Sequence, residues 1–254
     1  MDHNEKRKYL IEYLLREGGY DIAFPDGEEE QKRLLRSLFN VRMPKDVPEE
    51  FLRVQDEYLS EAVAAAGVTD SADFYYKDDL ALWRGDITTL VIDAIVNAAN
   101  SQMLGCFAPC HACIDNCIHT YSGIQLRRDC YEIMQKQGHE EPTGGAKITK
   151  AYNLPCKYVL HTVGPIVYGR LTDEHKRALA SCYESCLALA DEHALKSVAF
   201  CCISTGEFCF PNEEAAAIAV KTVKEYKKRT HSAIKVVFNV FKEKDYVIYK
   251  RILG

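Results

Sequence analysis

No apolar run in this 254-residue chain approaches the roughly 20 residues that a membrane-spanning helix needs. A helical membrane protein is thereby excluded. The amino end, Met1-Asp2-His3-Asn4-Glu5-Lys6-Arg7, is charged and lacks a secretory signal pattern. Eleven cysteines without such a signal argue for a reducing, cytoplasmic setting and against a disulfide framework. An excess of positive charge is missing too. A net charge of -5 and a pI near 5.9 argue against a nucleic-acid backbone as the main partner. They do not exclude a single nucleotide held by backbone amides. What is present is globular material, 47% hydrophobic and 27% charged, enough for one large or two small domains.

Residues 1 to about 75 read as helical. Leu10, Tyr13 and Leu14 make one apolar face, Leu34, Leu35, Leu38 and Phe39 a second, and Phe51, Val54, Tyr58 and Ala62 a third. Pro48 followed by Glu49 and Glu50 suits a helix start. No catalytic constellation falls in this part, which reads as a helical extension over 1–77 packed on a main domain over 78–254. Beyond it, strands are expected at 80–83, 91–96, 158–163, 197–202 and 235–240. Helices are expected from 114, over 124–136, 174–194 and 212–228, and from about 242. Strands alternating with helices imply a mostly parallel sheet covered on both faces.

Two loops that follow strands carry the chemistry. The first holds Cys106, His111 and Cys113 in a C-x4-H-x-C pattern, with Cys110 as a further thiol. Zinc takes thiolate and imidazole ligands, and three protein ligands leave a fourth position for water or substrate, as in catalytic sites. If Cys110 also ligates, the site closes and becomes structural. The bland alternative is a set of buried apolar cysteines; a histidine inside an otherwise polar loop favours one zinc ion per chain. The second loop, Ser204-Thr205-Gly206-Glu207-Phe208, leaves a strand and precedes a helix. Small residues there let backbone N–H groups converge on an anion. Together the two loops suggest a cleft at strand carboxyl ends that grips a diphosphate. Phe208 is placed to stack on a sugar or base, or to join the core. Asp86, after Gly85, suits an acceptor for the exocyclic amine of a base, or a cap for the turn that follows it.

Several motifs in order resemble those of macrodomains. They are Gly85-Asp86-Ile87-Thr88, Asp93-Ala94-Ile95-Val96-Asn97-Ala98-Ala99-Asn100, Ile114-Asp115, Tyr152-Asn153-Leu154-Pro155, His161-Thr162-Val163-Gly164-Pro165 and Ile203-Ser204-Thr205-Gly206. The cysteine loop in place of a run of glycines, with a helical amino-terminal extension, resembles the zinc-dependent subfamily. The resemblance implies a three-layer α/β/α fold with a mixed, mostly parallel sheet. It implies a hydrolase that removes mono-ADP-ribose from modified proteins, often found beside a sirtuin-type ADP-ribosyltransferase of the same pathway. It assigns Asp86 and the Ile87 backbone to adenine, Asn100 to the distal ribose, and Asp115 to catalysis. Ser204, Thr205, Gly206, Glu207 and Phe208 fall to the diphosphate, with Phe208 near the distal ribose, and Cys106, His111 and Cys113 to zinc. Glu207 is expected to point out of the cleft while its N–H serves the phosphate. Asp115 at a first helical turn also suits the helix dipole alone, and His119 reads as a satisfied helix histidine. Two other readings stay open: an ADP-ribose reader with a structural zinc, and a deacetylase of O-acetyl-ADP-ribose.

Overall fold

Asp2 and Glu5 close a reciprocal cap on the first helix, α1 (His3–Gly18), and two more helices follow, α2 (Glu28–Val41) and α3 (Glu49–Ala66). The computed structural model describes residues 1–254. Pro48 stands one position before α3, with Glu49 and Glu50 in its first turn, where acidic side chains suit the dipole. The apolar faces of the three helices close on one another through Leu10, Leu14, Leu35, Phe39, Phe51 and Val54. This cluster is separate from the main core. No helix is long and apolar enough to cross a membrane.

Next come β1 (Thr69–Asp70), β2 (Leu80–Arg84), a 3-10 turn at Ile87–Thr89, β3 (Leu90–Val91) and β4 (Ala94–Ala99). The chain continues through α4 (Ile114–Ser122), α5 (Ile124–Gln137), β5 (Ala146–Lys150), β6 (Tyr158–Val163) and α6 (Asp173–Glu192). It ends with β7 (Ser197–Phe200), α7 (Asn212–Thr230), β8 (Lys235–Val240) and α8 (Glu243–Leu253). The main sheet runs β2-β8-β7-β4-β6-β5, parallel throughout except for the edge pair β5–β6. Helices α6, α7 and α8 pack together as one layer, and α4 and α5 as the other, with α2 against α4. The mixed, mostly parallel sheet between helical layers is the architecture expected from the sequence.

The structure departs from the sequence reading in several places. The central strand starts at Ala94, not Val91, because the chain bends at Ile92-Asp93 and gives Val91 to a short parallel ladder with Asp70. That strand therefore runs to Ala99 and carries Asn97 into the sheet. β5 was not foreseen as a strand; it is an edge strand whose single fully buried position is Thr149, so it shows no apolar alternation. β7 stops at Phe200, where the Ile203 N–H donates to the Cys201 carbonyl and turns the chain. The β1–β3 ladder also spans residue 77, where the sequence reading divides the chain.

Because β2, β8, β7, β4 and β6 are parallel, they all end at one edge of the sheet. The Asp86 turn, the cysteine loop and the 201–211 loop leave that same edge.

Candidate functional site

Asn100 opens the cysteine loop by folding it back. Its Oδ1 accepts from the N–H groups of Gln102 and Met103 at 3.0 and 3.1 Å, and its Nδ2 donates to the Gly105 carbonyl at 3.1 Å. Gly105 has φ +79°, and a Cβ there would stand 2.7 Å from Cγ of the His119 ring, so glycine is required twice over. Just beyond it, Cys106, His111 and Cys113 bring their donor atoms within 4.8 Å of one another. Cys106 Sγ lies 3.7 Å from His111 Nδ1. Tetrahedral zinc with ordinary Zn–S and Zn–N bonds separates such a pair by about 3.5 Å, so the donor set fits the ion. The other ring nitrogen, His111 Nε2, faces Glu207 Oε1 at 3.6 Å, just beyond hydrogen-bond distance. Glu207 thus leans across to the cysteine loop, where the sequence reading had it pointing out of the cleft. Cys110 is not a fourth donor. Its backbone has φ +54°, and its thiol turns away to Ser37 Oγ at 3.2 Å and the Arg33 carbonyl at 3.4 Å.

Beneath the loop, at the start of α4, Asp115 is only 5% exposed. Its Oδ1 accepts from Asn97 Nδ2 at 2.8 Å, while Oδ2 has no protein partner and is not sealed from solvent. Burial pushes this carboxyl up to about 6, against the opposing pull of the Asn97 bond and Arg127. The Asn97 amide also meets His161 Nδ1 at 3.1 Å, and His161 Nε2 meets Thr149 Oγ1 at 2.9 Å. Burial holds His161 neutral, down to about 3, so Nδ1 accepts and Nε2–H donates. His119 is not the satisfied histidine expected. Both ring nitrogens are buried without a hydrogen bond, and Nε2 stands 3.5 Å from Asp115 Oδ1. His119, Cys130 and His161 also bring donor atoms within 4.8 Å of one another. There, however, both His161 nitrogens are committed to Asn97 and Thr149, which leaves no lone pair for an ion. Sequence reading missed Asn97 as the residue that aims Asp115, because it ended the strand at Val96, three residues short of Ala99.

In the second loop Ser204 is buried with φ +64°, and Gly164 packs so close that a Cβ would lie 2.1 Å from Ser204 Oγ. Thr205 N–H and Oγ1 both donate to the Cys202 carbonyl, and Phe210 N–H donates to the Ser204 carbonyl. The N–H groups of Gly206, Glu207 and Phe208 donate to no protein acceptor. Three successive free amides form an anion cradle. The half-buried Phe208 is fixed through its carbonyl, which accepts from Val167 N–H at 2.9 Å. Further along the edge, Asp86 is the cap for its own turn and remains open to a ligand on its other side. Oδ1 caps the 3-10 turn through Thr88 N–H and Oγ1 at 2.9 and 2.7 Å, and the exposed carboxylate keeps its other oxygen free. Ile87 is buried, so only its backbone can serve a ligand. Sequence reading also missed Phe241. It is 75% exposed, directly after β8, whose Val240 carbonyl accepts from Gly85 N–H at 3.1 Å. An aromatic immediately after a strand that ends at this edge was the available signal.

An acidic turn beside an open aromatic face, an anion cradle and a soft-ligand cluster on one edge define a nucleotide-binding α/β/α protein. Residues 96–219 match the family model of the Macro domain. The chain is 59% identical over 261 residues to a protein-ADP-ribose hydrolase of Treponema medium, covering 100% of both chains. It is 51% identical over 248 residues to a protein-ADP-ribose hydrolase of Staphylococcus aureus strain MSSA476, covering 96% of this chain and 93% of that one. Its structure superimposes on the Trypanosoma brucei macrodomain in complex with ADP-ribose with a TM-score of 0.64 and 28% identity, over 98% of this chain and 95% of that one. The chain belongs to the macrodomain family.

Proposed function

We propose that this protein hydrolyses mono-ADP-ribose from modified protein side chains, with zinc held by Cys106, His111 and Cys113. One juxtaposition carries the reading: the carboxylate held by Asn97 lies two residues from the donor cluster, on the edge that also bears the anion cradle. The names of its full-length relatives support it. Adenine lies between Asp86 and Phe241, and the diphosphate rests on the free amides of Gly206, Glu207 and Phe208. The distal ribose sits toward Asn100, Phe208 and the cysteine loop. When bound there, zinc supplies Lewis acidity at the sugar end of the cleft.

The bond broken joins the anomeric carbon to the side-chain heteroatom, and its cleavage builds oxocarbenium character on the ribose. The diphosphate grip fixes that sugar, so the encounter with water is effectively unimolecular. Asn97 holds Asp115 Oδ1, which leaves Oδ2 to take a proton from the attacking water. The water oxygen bonds to the anomeric carbon, the bond to the heteroatom breaks with its pair going to the heteroatom, and Asp115 returns its proton to that leaving group. Asn100 spends its carbonyl oxygen and one amide hydrogen on its own turn, leaving a single N–H for a ribose hydroxyl. The substrate is made by a protein ADP-ribosyltransferase, of sirtuin type by the resemblance, and the setting is cytoplasmic.

Release of ADP-ribose from a mono-ADP-ribosylated protein tests this. Wild type turns over, and Asp115→Ala and Cys113→Ala do not. Equal, negligible release by all three favours a reader. Faster release of acetate from O-acetyl-ADP-ribose than of ADP-ribose from protein favours a deacetylase.

A further inference from the structure

Between residues 104 and 112 the only backbone–backbone hydrogen bond is His111 N–H to the Ala108 carbonyl, at 3.2 Å. Beyond that bond and the Asn100 contact to the Gly105 carbonyl, little local pairing sets the shape of a loop that must bring three donors to one point. The missing partners come from side chains. Asn116 Nδ2 on α4 donates to the Ala108 and Cys106 carbonyls at 2.9 and 3.3 Å. Arg36 on α2 reaches across to the same amide, with Nη2 and Nε at 2.9 and 3.3 Å from Asn116 Oδ1. Arg36 Nη2 also donates to the His111 carbonyl at 2.9 Å. One turn further along α2, Asn40 Oδ1 accepts from Cys110 N–H at 2.9 Å, and its Nδ2 donates to Thr120 Oγ1 at 3.0 Å. Asn40 and Asn116 are buried and Arg36 is half-buried, so these bonds form away from competing water.

We propose that α2 is a working part of the metal site: Arg36 and Asn40 are positioning residues that hold the cysteine loop in ligand geometry. This rests on the reading that Cys106, His111 and Cys113 bind zinc. It gives the amino-terminal helices a role in the reaction centre without any contact with substrate. The guanidinium suits the task because its planar fork engages an amide oxygen and a carbonyl at once, where an ammonium offers a point charge. Outer-shell groups of this kind typically change metal affinity by roughly 10–100-fold when removed.

The test is competition for zinc between the full-length protein and a chromogenic chelator, with the melting temperature as a check on folding. Arg36→Ala is expected to weaken zinc binding at least roughly tenfold while remaining folded. Lys32→Ala, an exposed α2 change outside the network, should match wild type. The visible bands of cobalt-loaded protein give a second readout and should shift in Arg36→Ala. If Arg36→Ala does not fold, Arg36→Lys carries the test, since it keeps the stem and charge but not the fork; a several-fold loss is expected. Wild-type zinc affinity and cobalt bands in a folded Arg36 variant overturn the proposal. No zinc bound by wild type, with Cys113→Ala indistinguishable from it, overturns the underlying metal reading instead.

Discussion

Single residues decide this site by what they exclude as much as by what they hold. Gly105 lets the loop pass over the His119 ring with φ +79°. Gly105→Ala must strain the backbone and displace that ring, so we expect a loss of about 2–3 kcal/mol in denaturant unfolding, together with weaker zinc binding. Phe241 is 75% exposed and has little packing to lose. If it stacks on adenine, Phe241→Ala should raise the Kd for ADP-ribose about tenfold by calorimetric titration, within the 1–3 kcal/mol typical of base–aromatic stacking. The stability of the free protein and kcat at saturating substrate should hardly move. The donor set was legible in the sequence because thiols and an imidazole at short spacing have few other uses in a polar loop. Cys110 was not separable from its neighbours there; a left-handed residue after Pro109 turns its thiol to Ser37. Nor was the bond between Asn97 and Asp115 legible, because it depends on where the strand ends.

At the scale of elements, the strand that carries Asn97 is placed by Asp93 at its amino end. The Asp93 carbonyl accepts from the N–H groups of Lys157 and Tyr158, and its carboxylate from Lys196 N–H at 2.7 Å and Lys157 Nζ at 2.6 Å. One residue thereby ties the starts of β4, β6 and β7. Burial works against its charge, yet the Lys157 ammonium and the Lys196 N–H hold its pKa below the ordinary value. A carboxyl whose pKa is lower in the folded state contributes stability above its unfolded value, near ~4, and loses it as pH falls through the folded value. Asp93→Asn should therefore cost about 1–2 kcal/mol at pH 7, and urea titrations at decreasing pH should show the two proteins converging below about pH 4. Equal gaps at both pH values would mean that the charge is irrelevant there. The helices were legible from their caps and faces, and five strands from their apolar runs. The bend at Asp93 was not, since a lone aspartate inside an apolar run gives no sign of which side chains it meets. The polar edge strand β5 lacked any apolar alternation to read.

For the molecule as a whole, the question is whether the amino-terminal helices stand apart. Their apolar cluster and that of the sheet are separate, which taken alone suggests two units. The seam between them is polar, and its members are paired: Arg36 and Asn40 at the cysteine loop, Gln55 at the start of α5. Gln55 is fully buried, and its Oε1 accepts from Ile124 N–H at 3.0 Å, an end-of-helix donor with no partner inside α5. Pulling the layers apart without unfolding either would strip these groups of partners, and each buried group left unpaired costs about 1–3 kcal/mol. Such a seam couples the layers even though little oil crosses it. We therefore expect one calorimetric unfolding transition for the full chain. Gln55→Ala should lower that single transition by roughly 5 °C, as a loss of about 2 kcal/mol does in a chain of this size. Two resolved peaks, with Gln55→Ala moving only the lower one, would show instead that the helices melt off an intact sheet. The cysteine loop would then lose its α2 contacts before the fold does, and zinc should leave at the first peak.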